Sequence, residues 1–71
     1  MFQRIRDMRE DRDLTQEQMA ILLQVHQTTY SEYELGKVNI PIEALIKLAK
    51  YYQTSVDYLV GLTDDPKPYR K

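Results

Sequence analysis

The sequence predicts a single all-α domain, and three observations carry that expectation. The chain has 71 residues, with 42% hydrophobic content and six tyrosines, which is enough to pack one small core and no more. Its two glycines and three prolines punctuate five segments of helical spacing. No β-branched residues alternate over the length of a strand.

The first helix is expected from Phe2 to Asp11, where Phe2, Ile5 and Met8 form a narrow apolar stripe among charges. Thr15 followed by Gln18 is a capping-box pattern: hydroxyl and amide each satisfy a backbone N–H of the other residue, which starts a second helix. Its apolar set of Met19, Ala20, Leu22 and Leu23 ends at Gln24-Val25-His26, and the polar Gln27-Thr28-Thr29 begins a third helix after a tight turn. Gly36 suits a left-handed residue closing that helix. After a loop of Lys37, Val38, Asn39 and Ile40, Pro41 is placed in the first turn of a fourth helix. There Ile42, Leu45, Ile46, Leu48, Ala49 and Tyr52 make a broad buried stripe, with Lys47 and Lys50 outside. Ser55 caps a last short helix carrying Val56, Leu59 and Val60, which Gly61 ends. The domain therefore runs over residues 1–63, and residues 64–71, charged and broken by Pro66 and Pro68, form a flexible tail.

Composition excludes several classes. Without cysteine there are no disulfides, thiolate metal sites or thiol nucleophiles, which fits the cytoplasm. The longest apolar run, Met19 to Leu23, is far too short for a signal-peptide core or a membrane span. His26 is the only histidine, with no second ligand at a useful spacing, and Asp7, Asp11 and Glu17 read as solvated charges rather than an acid–base pair. Neither an enzyme nor a metal or cofactor site is expected. The net charge of −1 argues against bulk electrostatic attraction to nucleic acid, and no lysine or arginine occurs between Asp13 and Gly36.

At 100° per residue the third helix places Gln27, Thr28, Ser31, Glu32 and Leu35 on one side, and Tyr30 and Tyr33 on the other. A short-chained polar face of this kind suits the major groove of DNA: amides bridge adenine, hydroxyls bond several bases, and a carboxylate accepts from the cytosine amino group. Phosphate contacts fall to His26 at the helix start, to Lys37, Arg4, Arg6 or Arg12, to the backbone amides of Val38 and Asn39, and to the basic tail residues Lys67, Arg70 and Lys71. With so few cations per subunit, dimerisation becomes necessary, and Tyr51 and Tyr58 are the residues to watch at a dimer contact.

The runs Leu14 to Ala20 and Tyr33 to Lys37 resemble the phage repressor and Cro type of helix-turn-helix family, and so do Ile40 to Ala49 and Ser55 to Thr63. The resemblance covers roughly residues 2 to 65 and implies a five-helix, lambda-repressor-like domain that binds double-stranded DNA as a homodimer at a near-palindromic operator. It implies that Gln16 braces the DNA backbone, that Gln27, Thr28 and Glu32 are the principal base readers with Thr29 and Ser31 beside them, and that Arg9 and Glu34 form a structural ion pair. Gln24 departs from the family, which commonly has glycine there, and Tyr30 replaces a smaller aliphatic residue. A repressor is expected, because a chain without an effector segment acts most simply by occluding polymerase. The rival expectation is a protein-interaction module, or an antitoxin-like partner, that keeps the fold while binding DNA weakly.

Overall fold

The computed structural model describes residues 3–67 and arranges them in five helices: α1 (Gln3–Asp11), α2 (Gln16–Leu23), α3 (Gln27–Leu35), α4 (Ile42–Tyr52) and α5 (Val56–Leu59). No strand occurs among the described residues. The all-α expectation is met, and Phe2 and the tail from Pro68 to Lys71 lie outside the described residues.

Local chemistry sets the helix starts. Thr15 Oγ1 accepts the Gln18 N–H at 3.1 Å while Gln18 Oε1 accepts the Thr15 N–H at 2.7 Å, completing the capping box. Ser55 Oγ accepts the Tyr58 N–H at 3.0 Å at the start of α5. Pro41 corrects the expectation: it stands just before α4 as its N-cap, with ψ at 149°. Its carbonyl accepts the N–H groups of Ala44 and Leu45 at 3.0 and 3.1 Å, so Pro41 opens the helix from the cap position rather than from within the first turn.

The helix ends share one device. After each helix a residue turns left-handed and the next N–H reaches back five residues: Leu14 to the Arg9 carbonyl, Val25 to Ala20, Lys37 to Glu32, Thr54 to Ala49 and Leu62 to Asp57. The left-handed residue is Gly36 (φ 77°) and Gly61 (φ 87°) after α3 and α5, as expected, but Asp13 (φ 55°), Gln24 (φ 59°) and Gln53 (φ 57°) elsewhere. Each non-glycine there costs about 1 kcal/mol through the clash of Cβ with the following carbonyl.

Ile5, Met19, Ala20, Leu23, Tyr30, Tyr33, Leu45, Leu48, Ala49, Tyr52 and Leu59 are buried together, so every helix contributes to one core. Full burial of such an aliphatic or aromatic side chain stabilises by about 1.5–3 kcal/mol. The large Tyr30 ring is fully enclosed and meets Tyr33 edge to face, with ring centroids 6.4 Å apart. The Tyr52 hydroxyl lies 3.7 Å from Met19 Sδ, joining α4 to α2. On α4 the buried stripe is narrower than expected. Ile42 and Ile46 are 56% and 41% exposed, because the axis set by Leu45, Leu48, Ala49 and Tyr52 leaves them on its flank.

Asp64 and Pro66 of the expected tail make contacts with the domain. Thr54 Oγ1 donates to the Pro66 carbonyl at 2.6 Å, and Arg4 bonds the carbonyls of Tyr58 and Thr63 and the carboxylate of Asp64. Among the described residues no helix is long and apolar enough to cross a membrane.

Candidate nucleic-acid interface

The two helices that carry the site meet at the Gln24-Val25-His26 turn. There the left-handed Gln24 donates its N–H to the carbonyls of Ala20 and Ile21, and His26 caps α3 without a side-chain bond. Burial of Tyr30, Tyr33 and Glu34 fixes the rotation of α3. Gln27 and Thr28 are left exposed, and Thr29, Ser31 and Glu32 half-buried. Gln16, at the start of α2, joins Gln27, Thr28 and Ser31 around one open depression. Four of the residues singled out in the sequence thus come together, combining two amides and two hydroxyls.

The remaining candidates lie around or away from this depression. Leu35, Lys37, Val38 and Asn39 are exposed at the end of α3 and in the loop after it, and His26 is exposed at its start. Arg12 lies over the Tyr52 ring, 5.0 Å from its centroid, at the C-terminal end of α4 and not among the residues of the depression. Arg6 pairs with Glu10 at 3.0 Å along α1. Arg4 is corrected as a phosphate candidate: its guanidinium is spent on the Tyr58 and Thr63 carbonyls, the Asp64 carboxylate and the Tyr58 ring, 4.2 Å away. The same stacking half-buries Tyr58, whereas Tyr51 stays 46% exposed.

Behind the polar face sits an ion pair. Arg9 Nε donates to Glu34 Oε2 at 2.7 Å and Arg9 Nη2 to Glu34 Oε1 at 3.2 Å, a bidentate arrangement, while Arg9 Nη1 holds the Leu14 carbonyl at 2.9 Å. Gln16 Nε2 donates to Glu34 Oε1 at 3.1 Å. Burial pushes the Glu34 carboxyl up. The hydrogen bonds around it, that of Arg9 foremost, together with the Arg9 charge, outweigh burial and hold it below its ordinary value. The Tyr30 hydroxyl is buried and faces the Glu34 carboxylate. Burial and the nearby Glu34 raise its pKa, and burial likewise pushes Tyr52 up to about 12. The Gln16 to Glu34 bond and the role of Arg4 were missed in the sequence, since neither partner is marked by local spacing.

The comparisons agree with this architecture. The family described as helix-turn-helix matches residues 5–59, from inside α1 to the end of α5. The chain is similar to an uncharacterized HTH-type transcriptional regulator, YobD, of Bacillus subtilis (strain 168), at 42% identity over 66 residues, covering 93% of this chain and 59% of that protein. It is also similar to the cryptic phage CTXphi transcriptional repressor RstR of Vibrio cholerae, at 42% identity over 58 residues, covering 82% of this chain and 52% of that protein. A crystal structure of a transcriptional regulator from Listeria innocua superposes with a TM-score of 0.81 at 33% identity, covering 92% of this chain and 62% of that one. The chain spans between half and two thirds of the length of each of these proteins. A family match that takes in all five helices, and the cap, turn and polar face described above, bear out the resemblance seen in the sequence: the chain belongs to the helix-turn-helix family of transcriptional regulators.

Proposed function

We propose that this domain reads double-stranded DNA in the cytoplasm as a homodimer, with α3 of each copy in successive major grooves of a near-palindromic operator, and that it represses transcription. The observation that carries the reading is the depression in which Gln16 of α2 meets Gln27, Thr28 and Ser31 of α3. Gln27 and Thr28 read base edges, Glu32 accepts from a cytosine amino group, and Thr29 and Ser31 add secondary contacts. Gln16, His26, Lys37 and the backbone amides of Val38 and Asn39 take phosphates. Repression is supported by a relative that is itself named a phage transcriptional repressor.

The acidic balance favours a second reading, a protein-interaction module on the same fold, since no lysine or arginine occurs between Asp13 and Gly36. Selection from a pool of random duplex DNA separates the two: a two-fold symmetric consensus is expected, and an unenriched pool with folded protein favours the module. The double variant Gln27→Ala, Thr28→Ala is expected to lose binding to the selected operator while its melting temperature stays unchanged. Survival of binding in that variant removes these residues from the site. Affinity falls by about 0.9 log units per tenfold salt for each phosphate neutralised, over about 2 to 4 phosphates per subunit.

A further inference from the structure

The Arg9 and Glu34 pair joins α1 to α3, which accounts for its architectural role but not for its third member. Glu34 Oε1 accepts from Arg9 Nη2 at 3.2 Å and also from Gln16 Nε2 at 3.1 Å, the side chain at the rim of the depression. We propose that Glu34 is a positioning residue for DNA binding: its carboxylate fixes which end of the Gln16 amide turns inward and so sets the donor that Gln16 offers to a phosphate. The inference rests on the reading in which Gln16 meets the DNA backbone.

A carboxylate accepts and never donates, so the Gln16 amide turns its NH2 end to Glu34 and not its carbonyl. One of the two Nε2 hydrogens is spent on that bond. The other remains for an incoming phosphate oxygen, which is likewise acceptor-only. A neutral amide at position 34 would take either end of Gln16 and lose this selection. The bond also restrains the long glutamine side chain in the free protein, so part of its ordering is complete before DNA arrives. Arg9 does not take the place of Gln16, since it is 12% exposed, points its Nε, Nη1 and Nη2 at acceptors inside the protein and is not among the residues around the depression. The groups facing Glu34 are Arg9 from α1, Gln16 from α2, Tyr30 on its own helix and Tyr52 from α4, with Glu10 3.9 Å from Arg9.

The test is a double-mutant cycle in affinity for the selected operator, using Gln16→Ala, Glu34→Gln and the two combined, each measured well below its melting temperature. Each single change is expected to weaken binding about tenfold, and the combination no further, because both remove the same contact. Losses that multiply, or wild-type affinity in Glu34→Gln, would overturn the proposal, since a purely structural Glu34 lowers the melting temperature without coupling to Gln16. Wild-type affinity in Gln16→Ala, with binding still lost in the Gln27 and Thr28 variant, overturns it while leaving DNA reading intact. A wild-type protein that selects no duplex overturns both. If Glu34→Gln fails to fold, the Gln16 side-chain amide of the wild-type protein gives the answer by NMR. Two well-separated Nε2 protons that shift as Glu34 titrates are expected, and a degenerate pair indifferent to that titration overturns the assignment.

Discussion

Helix α1 carries two arginines that anchor distant parts of the chain, and they do so in contrasting surroundings. Arg9 is 12% exposed and its partner Glu34 3%, and together they join α1 to the helices that carry the polar face. Arg4 is 29% exposed and Asp64 is 96% exposed, and that cluster joins α1 to α5 and the segment after it. In the first, two charges depend on each other because water is excluded. In the second, water can replace the carboxylate, and the carbonyls of Tyr58 and Thr63 with the Tyr58 ring hold the guanidinium. The first pair is bidentate and buried while the second rests on one contact to an exposed carboxylate, so geometry and burial both set the first above the second.

The largest effect should come from Glu34→Ala, which leaves Arg9 buried without its counter-charge. A loss of about 3–5 kcal/mol is expected in urea unfolding. Acid should reproduce part of it. Because the folded pKa of Glu34 lies below its ordinary 4.5, the stability it contributes is complete above that value and is lost as pH falls through the depressed one. Melting temperatures should therefore drop in that acid window for the wild-type protein, and a Glu34→Gln variant should lack this component.

A smaller loss, about 1–2 kcal/mol, is expected for Arg4→Met, which keeps the stem but strands two part-buried carbonyls. Limited proteolysis should then cut the segment after α5 sooner. The smallest effect belongs to Asp64→Asn, expected within about 0.5 kcal/mol by thermal melting. A cost for Asp64→Asn near that of Glu34→Ala would break the comparison, because geometry and burial would then not be what separates the pairs.

What could be seen in the sequence was what is decided within a few residues. Thr15 with Gln18, the Ser55 cap and the left-handed Gly36 are local chemistry, and the structure reproduces them. The face of α3 was legible because Tyr30 and Tyr33 are large and Gln27, Thr28 and Ser31 are not. On α4, by contrast, apolar residues outnumber the positions that the core can take, so periodicity could not say that Ile42 and Ile46 would stay outside. Arg4 was hidden for another reason: its partners Tyr58, Thr63 and Asp64 lie 54 to 60 positions away. The Gln16 to Glu34 bond, 18 positions long, depends on how α2 crosses α3, and no single-helix pattern contains that crossing.

The recurring helix end also has a meaning for chirality. At Asp13, Gln24 and Gln53 an L-residue is held in the backbone region natural to its mirror image. A chain assembled by chemical synthesis with D-residues of the same side chains at those three positions would keep every hydrogen bond of the caps and shed the clash of Cβ with the carbonyl. The fold thus asks for a handedness at three points that the ribosome can meet without strain only by giving up the side chain for glycine.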